Sequence, residues 1–189
     1  MMLGKALILA QKSMTTPWGF SQQFSSSTGI TLTGGASVSG GLLNVPFGGK
    51  AVISTGKTLG RGVWIEIRMK TTSNGDWCGL GVWLAQSSAT PVGYACGIEW
   101  DEEEFTYLVV HEDNTPIDFT MDPDERALNY LTYRLEIPTT GPILIKENGV
   151  TRLSFSDSTV NVFDFIVIKS LVGTDGYSGY VDWITGGEL

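Results

Sequence analysis

Residues 63–70 alternate without a break between two kinds of side chain. Every odd-numbered residue of this run is apolar, and the even-numbered ones are Trp64, Glu66, Arg68 and Lys70. Successive side chains of a strand point to opposite faces of its sheet, so this period of two predicts a β-strand with one buried face. Leu131–Ile137 repeats the pattern. A chain built from such strands must bury their apolar faces against another layer.

Turn-forming residues separate further strand candidates. Asn148-Gly149 lies between two β-rich runs and predicts a hairpin with a type I′ turn, whose two central residues both need a positive φ. Val162–Ile168 is apolar on both faces apart from Asp164, which is typical of a central strand covered on both sides. The other candidates are Ile30–Thr33, Ala51–Ser54, Cys78–Gln86, Tyr94–Trp100, Phe105–His111, Ile143–Glu147, Val150–Phe155 and Tyr180–Ile184.

The strand candidates together define the fold class. Only one short helix is predicted, with Asp122 as N-cap, Pro123 at the first helical position and an end near Ala127. Many short strands with a turn signal about every ten residues indicate a sandwich or barrel. We therefore predict an all-β, two-layer antiparallel β-sandwich of the jelly-roll type with at most one short helix. The sandwich domain is placed at residues 21–189 and an N-terminal arm at residues 1–20.

Charge and hydropathy exclude several classes of partner. Acidic residues outnumber basic ones by 20 to 12, for a net charge of −8, whereas nucleic-acid binding requires clustered Lys and Arg. The longest apolar run near the start, Ala6–Ala10, is shorter than the roughly 7–15 residues of a secretory signal. No stretch approaches the ~18 apolar residues of a membrane span. We expect synthesis in the cytoplasm without a Sec signal, no nucleic-acid partner and no membrane span.

Metal-binding side chains are few. Cys78 and Cys96 lack metal-ligand spacing and are expected to be buried free thiols, since the strand register described below separates them by roughly 13 Å, too far for a disulfide. The single histidine, His111, is expected to be solvated. Glu112-Asp113-Asn114 and Asp122-Pro123-Asp124-Glu125 offer oxygen ligands of the kind that calcium accepts, but turns and capping explain these clusters equally well. No metal or cofactor is predicted, and structural calcium stays an open alternative.

Several segments carry a family resemblance. They are Gly41-Leu42-Leu43 with Gly62–Arg68 in the first half, and Leu128–Ile137, the Asn148-Gly149 hairpin and Gly179–Ile184 in the second. In order and patterning these segments resemble the concanavalin A-like jelly-roll superfamily, which includes laminin-G-like domains, legume-type lectins and glucanases. The resemblance spans residues 20–185 and implies the fold. It does not choose among functions, because one fold hosts many.

The strongest enzymatic signal is the acidic segment from Glu99 to Glu104. It is similar to the Glu-x-Asp-x-Glu strand of the glucanases, and this likeness implies Glu99 as nucleophile, Asp101 as its helper and Glu103 as general acid/base. Two carboxylates on one face of a strand could flank a glycosidic bond. The alternative joins Tyr94–Trp100 and Phe105–His111 as a hairpin, with Asp101 to Glu104 as a solvated connection. We favour the hairpin and expect no catalytic residues.

A candidate binding face follows if Cys78–Gln86 and Tyr94–Trp100 are antiparallel neighbours. One face then carries Trp83 and Glu99 among small residues, namely Gly79, Gly81, Ala95 and Gly97. A run of glycines in a strand marks close approach by a ligand or by another backbone. The resemblance implies that sugars lie on the concave sheet. Trp83, with Trp64, Glu66 and Arg68 on a nearby strand, would suit a sugar ring or a peptide segment. The alternative is that another part of the chain, or a neighbouring subunit, fills the groove.

The apolar residues of the N-terminal arm suggest an assembly role. Leu3, Leu7, Ile8 and Leu9 would be poorly solvated as a free tail, so the arm is expected either to form an extra edge strand or to insert into a neighbour. Domains resembling this one recur in bacteriophage particles. The first hypothesis is therefore a non-catalytic structural or adhesion protein of a virion, a capsid decoration or tail-associated protein that binds other subunits and forms an oligomer. The alternatives are a lectin-like carbohydrate-binding module that uses the Trp83 face, and a glucanase-like hydrolase.

Overall fold

The computed structural model describes residues 17–71, 78–101, 103–110, 116–122, 129–170 and 178–189. These residues form two antiparallel sheets and, within the described ranges, no helix. The predicted all-β sandwich is confirmed. The helix predicted from Asp122 to Ala127 lies outside the described residues except for Asp122, which ends a strand.

Sheet A contains eight strands. Seven of them run in the order β13, β12, β11, β6, β15, β4, β3, and β1 also pairs with β15. Their bounds are β1 Gly19–Gln22, β3 Ser37–Ser39, β4 Leu42–Pro46, β6 Val63–Thr71, β11 Leu131–Ile137, β12 Ile143–Glu147, β13 Val150–Phe155 and β15 Ser178–Glu188.

Sheet B contains seven strands in the order β10, β9, β8, β7, β14, β5, β2. Their bounds are β2 Ile30–Thr33, β5 Lys50–Leu59, β7 Cys78–Ala85, β8 Gly93–Asp101, β9 Glu103–Val110, β10 Pro116–Asp122 and β14 Phe163–Ser170. Consecutive strands such as β6 and β7 lie in different sheets, so the chain crosses repeatedly between the layers.

The core lies between the sheets and is built from the period-two residues. Val63, Ile65, Ile67 and Met69 of β6 are all buried in it, as the alternation predicts. Cys96 on β8 is a buried free thiol in the same core, and burial raises its pKa to about 12. The thiol is therefore protonated and inert at neutral pH. The side chain of Cys78 lies outside the described part.

The Asn148-Gly149 hairpin forms as predicted. Asn148 has a φ of 48° and Gly149 a φ of 82°, and Glu147 pairs directly with Val150. The backbone N–H of Thr132 donates to Asn148 Oδ1, and the Asn148 N–H donates to the Thr132 carbonyl oxygen. The turn is thereby joined to the neighbouring strand β11.

The N-terminal boundary of the sandwich differs from the prediction. Trp18 is buried in the core, and Gly19–Gln22 pairs with the last part of β15. The Trp18 N–H donates to Glu188 Oε1, and the Glu188 N–H donates to the Trp18 carbonyl oxygen. The sandwich therefore begins before residue 21, where the sequence analysis placed it. The alternation in this stretch covers only four residues and did not show a strand.

Candidate functional site

The predicted register of β7 and β8 is confirmed. Trp83 lies opposite Ala95, Leu84 opposite Tyr94, and Gly79 opposite Glu99. One face of the pair enters the core with Leu80, Val82, Leu84, Tyr94, Cys96 and Ile98. The other is the outer face of sheet B, where Trp83 packs with Ala85, Ala95 and Val167 in a second apolar cluster.

The burial of Trp83 corrects its predicted role. Its side chain is 0% exposed, and its Nε1 has no hydrogen-bond partner in the described part of the chain. The Lys169 ammonium lies over the indole, 5.1 Å from the ring centroid. Because no surface of the ring is open, Trp83 cannot stack on a sugar as predicted. Instead it packs in the apolar cluster with Ala85, Ala95 and Val167 on sheet B.

Trp64, Glu66 and Arg68 are not near Trp83. Their strand β6 lies between β11 and β15 in sheet A, so these side chains lie on the opposite side of the sandwich. The prediction that they share a binding face with Trp83 is wrong. The sequence did not show that the chain changes sheets between β6 and β7.

On sheet A these side chains contact residues of the two adjacent strands, β11 and β15. The Arg134 guanidinium lies 3.9 Å from the Trp64 ring centroid, and its Nη1 is 3.8 Å from Glu66 Oε2. Arg68 Nη1 lies 2.5 Å from Asp182 Oδ2. Opposite charges thus meet across the strands of this face, which is favourable for the sheet and leaves few charges there to attract a ligand.

The acidic segment forms a hairpin as predicted, but Asp101 belongs to β8 and Glu103 and Glu104 belong to β9, so the predicted connection from Asp101 to Glu104 is wrong. Asp101, at the end of β8, pairs with Glu103, at the start of β9, and Glu99 pairs with Phe105. The chain therefore reverses between Asp101 and Glu103, so Glu99, Asp101 and Glu103 do not follow one another along one strand. The side chains of these residues lie outside the described part. The backbone supports the hairpin alternative and not the single-strand arrangement of the glucanase motif.

An open groove that the sequence analysis did not identify lies on the other half of the outer face of sheet B. It consists of two adjoining depressions of about 390 and 290 Å³ that share Thr33, Lys50 and Ala89. We call it the Lys50 groove. Its other lining residues used below are Thr31, Val52, Ser54, Ser88, Thr90, Phe165, Lys169 and Ser170.

Strands β2, β5 and β14 position this lining. Phe165 and Val52 pack against the Trp83 cluster and stay partly exposed to the groove. The Lys50 ammonium donates to the carbonyl oxygens of Ser88 and Ala89 at 3.0 and 3.1 Å, and so holds the connection between β7 and β8 over the groove. The result is an apolar floor with hydroxyl groups at its rim, a combination that suits small polar ligands.

Two lysines give the Lys50 groove a positive charge. Lys169 lies directly opposite Lys50 in the pairing of β14 with β5. Burial lowers the pKa of Lys169, and the charge of Lys50 lowers it further. These residues were missed because Val162–Ile168 reads as a strand covered on both faces. The available signal was a lysine at the end of each strand, since Lys169 directly follows this apolar run and Lys50 directly precedes the predicted strand Ala51–Ser54.

A further cavity, with a polar lining, lies at an end of the sandwich. It has a volume of about 540 Å³ and is lined in part by Arg61 and Asp157. Arg61 donates to the carbonyl oxygens of Pro138 and Asp157. Asp157 Oδ1 accepts hydrogen bonds from the Tyr94 hydroxyl and from Thr159. Since these polar groups satisfy one another, the cluster serves to close the sandwich.

The Asp157 cluster predicts a pH-dependent contribution to stability. Burial raises the pKa of the Asp157 carboxyl, but hydrogen bonds from Thr159 and Tyr94 outweigh burial and hold it below its ordinary value of 3.8. A lowered folded-state pKa stabilises the protein above pH 3.8, and this stabilisation is lost as the pH falls through the folded-state pKa. We expect Asp157→Asn to lower the free energy of unfolding at neutral pH, and the deficit to shrink below about pH 4. Urea titrations across this range measure it, and a deficit that stays constant down to about pH 3 would contradict the assignment.

The remaining predicted sites fall largely outside the described residues. These are the arm residues Leu3, Leu7, Ile8 and Leu9, together with His111 and the calcium candidates, of which only the backbone of Asp122 is described. Among the described residues, no group of three or more His, Cys, Asp or Glu side chains is placed to hold a metal. The described ranges also hold no helix of the length and hydropathy that a membrane crossing requires.

Comparison with solved structures identifies the fold. The β-glucanase of Bacillus licheniformis superposes with a TM-score of 0.67 at 12% identity, covering 93% of this chain and 100% of that one. The carbohydrate recognition domain of Emp47p gives 0.68 at 8% identity, covering 90% and 95%. A legume lectin-like domain from Entamoeba histolytica gives 0.63 at 10% identity, covering 85% and 90%.

The chain therefore has the concanavalin A-like jelly-roll fold that the sequence resemblance implied. At these identities the likeness extends to the fold alone, which is compatible with both glycoside hydrolases and lectins. No protein-family model and no curated protein matches the sequence.

Proposed function

We propose that this protein is a non-catalytic module that binds a saccharide in the Lys50 groove. The observation that carries the proposal is the composition of the groove, where the partly exposed Phe165 lines the same depression as the hydroxyl-bearing residues Thr31, Thr33 and Ser54. A sugar has an apolar C–H face and a polar rim, so it matches an aromatic floor surrounded by hydroxyl groups.

One further fact agrees with binding and not hydrolysis. The described lining of the Lys50 groove contains no carboxylate, whereas glycoside hydrolases generally need a pair of them about the scissile bond. Structures of the same fold are named both for lectin-like or carbohydrate recognition domains and for glucanases, so the fold itself does not choose between the two. A virion role, with other subunits as partners and the virion as location, stays a prediction, as does the glucanase alternative.

The proposal predicts a loss of binding on removal of the groove's aromatic ring. We expect Phe165→Ala to weaken the affinity for a bound glycan about tenfold, because it removes the apolar contact with the sugar. A glycan array identifies a ligand, and isothermal titration calorimetry then compares the variant with the wild type.

Trp64→Ala is the matched control. It also removes a half-buried aromatic ring, but from the outer face of sheet A, and it should leave the affinity unchanged. The melting temperature of each variant shows that it is folded. Equal binding by Phe165→Ala and the wild type would rule out the Lys50 groove as the site, and an array without any ligand would overturn the proposed function.

A further inference from the structure

Lys50 and Lys169 form a like-charge pair that the rest of the described structure does not neutralise. They occupy directly opposite positions of β5 and β14, an arrangement that destabilises a sheet when the charges are alike. Both side chains are half-buried. No described carboxylate forms an ion pair with either one, whereas Lys57 pairs with Glu188 and Lys146 with Glu136.

The contacts of the two ammonium groups are all with neutral partners. Lys50 Nζ donates to two carbonyl oxygens, and Lys169 Nζ lies over the Trp83 ring. Carbonyl oxygens and a ring face fix the positions of these cations without cancelling their charge. Because no described carboxylate offsets these charges, the free protein retains a local excess of positive charge here. Such half-buried charges are costly without a partner of opposite sign.

The surroundings of the pair can hold a small anion. The larger depression, of about 390 Å³, is lined by both lysines and by the hydroxyl-bearing residues Thr33, Thr90 and Ser170. Ser170 Oγ accepts the N–H of Gly48 at 3.0 Å, so its own proton is free to be donated toward the depression. Ammonium and hydroxyl donors of this kind form the stronger, charge-assisted hydrogen bonds with carboxylate or sulfate oxygens.

We infer that the Lys50 groove binds an acidic saccharide, with the carboxylate or sulfate group of the sugar held between Lys50 and Lys169. This inference rests on the proposed function and adds the chemical class of the ligand. The negative group supplies the missing counter-charge, while the adjoining depression, with Phe165 and Val52 in its lining, accepts the apolar face of the same or the next sugar.

The overall charge of the protein distinguishes a local anion site from general electrostatic attraction. With a net charge of −8, the molecule as a whole repels polyanions at long range. Retention by an acidic polysaccharide therefore requires a local cationic site and does not follow from general attraction.

Affinity electrophoresis in gels that contain a polysaccharide tests the inference. The probes are polygalacturonate for the carboxylate, dextran sulfate for the sulfate, and dextran and galactan as neutral polymers. We expect the wild type to be retarded by at least one acidic polymer and at least about tenfold less by the neutral ones. Lys169→Met and Lys50→Met should each lose this retardation, and Lys169→Arg should keep most of it because it conserves the charge.

Lys70→Met is the matched control. Lys70 is also half-buried, and its ammonium lies 4.8 Å from the ring centroid of Tyr130, but it is on sheet A. This variant should be retarded like the wild type. A second readout guards against misfolding: Lys169→Met should melt at or above the wild-type temperature, because it removes a like-charge contact.

Each other outcome overturns the inference in a recognisable way. Equal retardation by neutral and acidic polymers, unchanged in Lys169→Met, would leave the proposed function standing and remove the acidic ligand. Equal losses in Lys70→Met and Lys169→Met would show that the attraction is not local. No retardation by any polymer, together with an array without a ligand, would overturn the proposed function as well.

Discussion

Gly93→Ala is expected to destabilise the sandwich by roughly 3 kcal/mol or more, at or above the upper end of overpacking effects. Gly93 is the first residue of β8 and lies opposite Ala85. A Cβ atom at this position would lie 1.9 Å from the carbonyl oxygen of Leu84 and 2.8 Å from Cα of Ala85. Both neighbours are backbone atoms, which no change of rotamer can move away. Thermal unfolding should show a midpoint roughly 6–12 °C lower.

Gly60→Ala provides the control for this substitution. A Cβ atom on Gly60 meets nothing within 4 Å, so the variant should stay within about 0.5 kcal/mol of the wild type. The substitution at Gly93 should also affect ligand binding in the Lys50 groove. Gly93 directly follows the connection whose carbonyl oxygens at Ser88 and Ala89 bind Lys50, so any Gly93→Ala protein that folds should also bind its glycan less tightly. A wild-type midpoint for Gly93→Ala would contradict the close approach of the two strands.

Arg152→Met is expected to lower the free energy of unfolding by about 2–4 kcal/mol, because it removes the guanidinium group that forms an ion pair with a buried carboxylate. The Glu147 side chain is only 4% exposed, and its Oε1 lies 3.0 Å from Arg152 Nη2. The Tyr133 hydroxyl donates to the other carboxylate oxygen at 3.2 Å. That hydroxyl remains in the variant and cannot replace a charged donor. Urea denaturation monitored by tryptophan fluorescence measures the loss.

Two variants separate this effect from the mere loss of a surface charge. Lys57→Met removes the ion pair with Glu188, whose side chains are 46% and 43% exposed, and should leave the denaturation midpoint close to that of the wild type. Adding Glu147→Gln to Arg152→Met should recover a large part of the lost stability, because the neutral amide carries no charge to bury. If Arg152→Met were no more harmful than Lys57→Met, the ion pair would contribute little.

Local patterns predicted the elements of the fold well. The alternation in Val63–Lys70 and in Leu131–Ile137 gave the strands β6 and β11, and Asn148-Gly149 gave the turn between β12 and β13. These signals depend on neighbours in sequence, and tertiary contacts reinforce them here. The strand β10 was not predicted, since Pro116–Asp122 contains a proline and two aspartates, residue types that disfavour strands.

The candidate site was harder to predict, because it depends on which sheet each strand joins. The register between Trp83 and Ala95 could be deduced from one hairpin. The position of Trp64 on the other side of the sandwich could not, since a crossover leaves no local pattern. Lys50 and Lys169 are 119 positions apart and meet only through the pairing of β5 with β14. The two lysines therefore lie opposite each other only because of the order in which the strands pair in sheet B.

The pairing of Gly19–Gln22 with the end of β15 also determines how this domain can be combined with others. Adjacent strands are about 5 Å apart, so the polypeptide enters and leaves the sandwich at almost the same place. Such a unit can be spliced into a surface loop of a host protein while the loop's own ends scarcely separate. For the same reason, a short linker should be enough to join residues 17 and 189 in a circular permutant.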